Sequence, residues 1–174
     1  MKIATLLLGS MFTFLLGISM TYAGEYEETI ELFKHAGESA VFFNNCYAYA
    51  NNQITNTFPQ PGRGTGRMYT VFGCTGAGAV EPAAVSDGLA PCPNFGVPLA
   101  PGRGWYVALV IWPGKDYHWY RQDKAGCWSH KPGNTPVRNV DNSGRAISDP
   151  RTADRGNYTV FCSYMIARAG LSIR

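Results

Sequence analysis

The chain predicts an α+β fold, with helices first and an antiparallel sheet after them. Two observations lead there. Residues Trp105-Tyr106-Val107-Ala108-Leu109-Val110-Ile111-Trp112 form a nearly continuous apolar run, as expected of a strand buried on both faces. Two further strand-like segments, Tyr117–Gln122 and Cys127–His130, follow it across the turn sequences Pro113-Gly114-Lys115-Asp116 and Asp123-Lys124-Ala125-Gly126. No internal repeat and no linker divides the chain.

Each element can be justified in order. Tyr26–His35 reads as a helix: Glu25, Glu27 and Glu28 suit the positive end of its dipole, and Gly37 provides a stop. Val41-Phe42-Phe43 reads as a short buried run. Asn44 or Asn45 can cap a second helix, from about Cys46 to Ile54. Phe58 to Gly66 carries two prolines and three glycines and reads as a loop. Ala77–Leu89 reads as a small-residue helix that Pro82 opens or interrupts. Pro91–Gly104 is expected to be a loop. After the three-stranded meander comes a long segment, Lys131–Gly156, rich in Pro, Gly, Asn and Asp. Loops of this length are usually functional or stapled. Tyr158–Ile166 alternates as a final strand does.

The N-terminus places the chain in the cell. Met1-Lys2, an apolar stretch from Ile3 to Met20 and the small residues of Thr21-Tyr22-Ala23 form the pattern of a cleaved secretion signal. The expected organisation is a signal peptide at 1–23 and one globular domain at 24–174. Localisation is then extracellular, with no membrane association after cleavage. The formal charge of +3 falls further when Lys2 is removed, and no basic stripe is present, which argues against nucleic acid as a partner. Charged residues make up 16% of the chain against 10 tyrosines, so polarity rests on neutral side chains.

Five cysteines in an oxidising compartment leave at least one unpaired. Spacing favours Cys74–Cys92 and Cys127–Cys162 as disulfides, with Cys46 left over. Other connectivities, including one that bridges Cys46, remain open. A thiol opening a helix feels the positive end of the dipole, which favours thiolate. That makes Cys46 a candidate nucleophile. His118 and His130, on adjacent strands of one hairpin, are candidate bases, and register decides whether they share a face. Asp141 is a candidate to orient the imidazole, as are Asp116 and Asn142. Asn44 or Asn45 is a candidate oxyanion donor. The opposing reading is structural: both histidines are flanked by aromatic residues and suit a packed sheet, and a free cysteine is often simply buried. No metal-ligand spacing is present and no cofactor is implied. Asn157-Tyr158-Thr159 is an acceptor sequence for N-glycosylation.

A helix-opening cysteine followed by a histidine on an antiparallel sheet is the order of papain-like cysteine hydrolases. The chain departs from that pattern. It lacks Cys-Gly-Ser-Cys-Trp, and Gly104-Trp105 stands where such folds often carry the histidine. A broader resemblance lies in Asn45-Cys46-Tyr47-Ala48-Tyr49-Ala50, Gln60-Pro61-Gly62-Arg63, Asp116 to Asp123, Trp128 to Gly133, Asn139 to Gly144 and Asp149 to Gly156. In these segments the chain resembles the insoluble matrix shell proteins of molluscs. The resemblance implies secretion into the organic matrix of a calcified shell, with other matrix proteins or matrix polysaccharide as partners. It implies no assigned catalytic residue.

Overall fold

Five strands make one antiparallel sheet in the computed structural model, which describes residues 41–174. The expected signal peptide and the helix at 26–35 lie outside the described residues. Among the described residues, the short helices α1 (Cys46–Ala50) and α2 (Val80–Ser86) precede the sheet. The strands are β1 (Ala90–Cys92), β2 (Trp105–Trp112), β3 (Asp116–Gln122), β4 (Trp128–His130) and β5 (Val160–Ala167). Their order is β1-β5-β2-β3-β4, so β5 inserts between β1 and the β2-β3-β4 meander. The α+β class holds, although among the described residues sheet outweighs helix.

Local chemistry explains the short helices. Asn45 caps α1: its Oδ1 accepts from the backbone N–H groups of Tyr47 and Ala48, each at 3.1 Å. The helix stops at Ala50, short of the expected Ile54, because Asn52 takes a left-handed φ of 54°. In α2, Pro82 falls within the first turn, where the missing donor costs no helical bond. β1 takes in Pro91 and Cys92 from the start of the expected Pro91–Gly104 loop and pairs them with β5, and at the sheet edge Pro91 costs little pairing. Phe42 and Phe43, expected to be buried, are 56% and 48% exposed.

Strand alternation sorts the core into two layers. On one face Val107, Leu109, Ile111, Tyr117, Trp119, Met165 and Ala167 pack beneath α1 and α2. On the other, Ala108, Val110, Tyr120, Trp128 and Tyr164 pack beneath Phe95 and the long loop, with Ile147 and Tyr158 reaching in from it. The first is the helix face and the second the loop face.

The disulfide differs from both expected pairs. Cys74 bonds Cys162, and Cys46, Cys92 and Cys127 are free. The sheet explains why. Cys127 adjoins β4, which lies three strand spacings from β5, roughly 14 Å and beyond disulfide reach. Cys92 packs with the loop face and Cys74 with the helix face, so the sheet separates them. Cys162 reaches Cys74 through a β-bulge. Leu109 pairs with Ser163 and Val110 with Phe161, leaving Cys162 as the extra residue between them.

Candidate functional site

A cavity of about 250 Å³ opens where β4 ends. β4 covers only Tyr120, Arg121 and Gln122 of β3, so Asp116–Trp119 has no strand partner on that side. Cys46, His118 and His130 all line this cavity, with Tyr69, Tyr117, Tyr158, Gln60 and Asp116 among their neighbours.

Cys46 reaches it from the helix face. Its helix is positioned from both ends. Ahead of it, Asn44 Oδ1 accepts from the backbone N–H groups of Thr55 and Asn56 at 2.8 and 3.0 Å. Behind it, the Trp105 indole N–H donates to the Ala50 carbonyl at 2.6 Å. Lys131, fully buried, donates through Nζ to the carbonyls of Val41, Asn44 and Gly133. Its three N–H bonds are thereby used on backbone, and burial pulls its ammonium down to about 8. The sequence carries little signal for this role, since a lysine before Pro132-Gly133 reads as solvated surface.

Burial pushes the Cys46 thiol up to about 12, and the backbone of Trp119 and Tyr47 offsets this only in part. Desolvation therefore outweighs the short helix's dipole, and Cys46 is a protonated thiol at neutral pH. It belongs to the same packed cluster as Tyr117 and Trp119.

The histidines belong to the other face. His118 packs its ring against Tyr120 at 5.0 Å and Tyr158 at 5.5 Å, and His130 stacks on Tyr120 at 4.9 Å. Register brings the two together: His118 Nε2 and His130 Nδ1 are 2.8 Å apart. The tautomers follow from the next contact. His130 Nε2 lies 3.1 Å from the Val140 carbonyl and must donate to it. Its Nδ1 is then bare and accepts the N–H of His118 Nε2, leaving His118 Nδ1 unprotonated. Burial holds His118 well below its usual value and lowers His130 as well, so the neutral pair is favoured.

Thiol and imidazole thus lie on opposite faces of β3 and meet only around its free margin. Among the described residues no hydrogen bond joins Cys46 to either ring. The supporting candidates are engaged elsewhere. Asp141 accepts three backbone N–H groups, from Ser143, Arg145 and Asp154, at 2.9 to 3.0 Å. These bonds hold its carboxyl below the usual range and fold the long loop. Asp116 Oδ2 accepts the Tyr158 hydroxyl at 2.7 Å. Asn142 lies at the cavity wall, its amide against Gly156. The Asn44 and Asn45 amide groups donate to Asn56 Oδ1 and the Pro59 carbonyl at 2.9 and 2.7 Å. Gly104 has no room for a side chain, since a Cβ would fall 2.0 Å from the Ala167 carbonyl oxygen. Among the described residues no cluster of three or more His, Cys, Asp or Glu is placed to hold a metal.

One buried relay had no sequence signal. The Tyr49 hydroxyl lies 2.7 Å from Ser129 Oγ, which donates to Asp123 Oδ1 at 2.7 Å. Ser129 spends its proton on Asp123, so Tyr49 donates to Ser129. The relay ties α1 to the β3-β4 hairpin. Burial lifts the Asp123 carboxyl to about 7.

No protein-family model matches the chain, and no solved structure matches it. Among curated proteins it is 51% identical, over 122 residues, to insoluble matrix shell protein 1 of Ruditapes philippinarum. The match covers 70% of this chain and 78% of that protein. At that identity and coverage, the chain belongs to the insoluble matrix shell protein family.

Proposed function

We propose that the protein is a secreted component of the organic matrix of a calcified shell. The observation that carries this is the 51% identity to a protein named for the insoluble shell matrix. The partners are other matrix proteins or matrix polysaccharide. The geometry supports a structural role: the Cys46 thiol is buried and protonated, and the polar groups around it bond backbone and one another. Cys127, exposed beside the β3-β4 turn, is the thiol accessible for covalent insolubilisation, in place of Cys46. The test has two parts. The full chain, expressed in a eukaryotic secretory cell, is expected in the medium with Gly24 as its first residue. Peptides of the chain are expected in the residue left after a shell is decalcified and washed. A chain retained in the cell, or found only in the acid-soluble wash, would refute the reading.

A second reading, a secreted thiol hydrolase acting on peptide or amide bonds, is favoured by one observation: Cys46, His118 and His130 share a cavity. It requires Cys46 and His118 to close around the margin of β3. Turnover of a peptide or amide library that Cys46→Ala abolishes would establish it. Unchanged turnover in that variant, or none in the parent, would dismiss it.

A further inference from the structure

The acceptor sequence Asn157-Tyr158-Thr159 lies in the turn that leads into β5, before the strand begins at Val160. Three observations set its geometry. Asn157 and Thr159 are exposed, while Tyr158 between them is half-buried. The Tyr158 ring packs against His118 and Trp112, and its hydroxyl donates to Asp116 Oδ2 at 2.7 Å. The middle residue is thus anchored inward and its two neighbours face outward. The turn is tight: Gly156 takes φ +56°, and the Thr159 N–H donates to the Asn157 carbonyl at 2.9 Å. Asn157 and Thr159 are thus both exposed on a bend free of strand pairing.

We infer that Asn157 carries an N-linked oligosaccharide, which stands at the rim of the cavity that Tyr158 lines. The inference rests on the secretion reading, because the modification belongs to the secretory pathway. The donor class is a lipid-diphosphate-linked oligosaccharide. Asn157 Nδ2 forms a bond to the sugar C1 as the C1–O bond to the diphosphate breaks. Nδ2 loses one proton, and the lipid diphosphate leaves. No electrons are transferred.

The experiment uses two versions of the full chain in a eukaryotic secretory cell. One has its own residues 1–23, and the other has a proven secretion leader in their place. Glycan is scored in medium and membrane fractions together, by the mobility shift that a peptide N-glycanase removes and by the Asp that the enzyme leaves at position 157. Both versions are expected to carry the glycan. Asn157→Gln and Thr159→Ala are expected to abolish the shift, and Thr159→Ser to retain it. Unmodified Asn157 in the chain made from the proven leader would overturn the inference, and this readout needs no variant to fold. A glycan on that version alone, with the native-leader chain retained in the cytosol, would sustain this inference while refuting secretion.

Discussion

The two faces of the sheet are covered by different means. The helix face lies beneath α1 and α2, and its cover is stapled covalently through Cys74–Cys162. The loop face lies beneath Phe95 and residues 131–159, and among the described residues its cover has no disulfide. Carboxylates do that work instead. Asp141 collects three backbone N–H groups, Asp154 bonds Ser143 Oγ and the Gly156 N–H, and Asp149 bonds Tyr164 and the Arg151 N–H. One cover is fixed by burial and a covalent clip, the other by turn chemistry. The cavity opens where the two covers meet at the free margin of β3. Cys46 belongs to the helix cover, whereas His118 lies on β3 and faces the loop cover.

The largest effect is expected from unclipping the helix face. The disulfide spans a sequence separation of 88 residues. On the loop-entropy model its removal costs about 4 to 5 kcal/mol. A Cys74→Ser/Cys162→Ser chain should show that loss in urea unfolding, and an unchanged midpoint would show that the helix face holds without its clip. Next comes Trp119→Ala. This indole is fully buried and packs against Tyr47 at 5.4 Å. Truncation should cost roughly 3 to 5 kcal/mol and loosen α1, which would appear as faster amide exchange at Tyr47–Ala50. On the loop face, Asp141→Ala leaves three backbone N–H groups without their acceptor together. The expected result is local: limited proteolysis should cut within 131–159 while the global unfolding midpoint moves little. Global unfolding in step with loop cleavage would mean that the two covers are one cooperative unit.

A smaller effect appears with pH. His118 and His130 are held below the unfolded value, so the unfolded chain binds protons first as pH falls. Stability from this pair is present above about pH 6.5 and is lost as pH drops below it. Asp123 acts oppositely. Its folded value of about 7 lies above the unfolded one, so it loses stability as pH rises from about 4 to 7. Unfolding midpoints measured from pH 7.5 to 5 should fall in the parent chain. They should fall less in His118→Gln and more in Asp123→Asn. Parallel profiles in all three chains would remove the imidazole pair from the account.

The parts of the fold legible in the sequence are those set by local pattern. The apolar run of β2, the turns of the meander and a cap at Asn44 or Asn45 are read directly, because alternation, turn residues and capping are short-range signals. The place of β5 between β1 and β2 is not, since strand order depends on long-range packing. The disulfide is hidden for the same reason: Cys162 reaches Cys74 through a bulge and a strand order that spacing does not encode. Register was the undecided point at the site. It puts His118 and His130 within one hydrogen bond, and by the same alternation it turns His118 away from the face that holds Cys46. Lys131 was invisible because its carbonyl partners are backbone, which leaves no residue-type pattern.

The finest difference between the two covers lies in their thiols. Cys46 is 5% exposed beneath the helix cover, with its thiol pushed up to about 12. At pH 7 that leaves roughly one thiolate in 10⁵. Cys92 is half-buried at the loop-face edge, its Sγ donating to the Asn94 carbonyl at 2.7 Å. Cys127 is exposed. Alkylation of the folded chain with iodoacetamide should therefore proceed in the order Cys127, Cys92, Cys46, read by peptide mass spectrometry against time. Cys46 should react only at the rate of global unfolding, so dilute urea should accelerate its labelling and leave that of Cys127 unchanged. Trp119→Ala, which loosens the cover over Cys46, should raise its rate without altering the other two. Early labelling of Cys46 in the folded chain would mean that the cavity admits reagent to an activated thiol. It would shift the balance toward the hydrolase reading, because rapid alkylation needs thiolate as well as access.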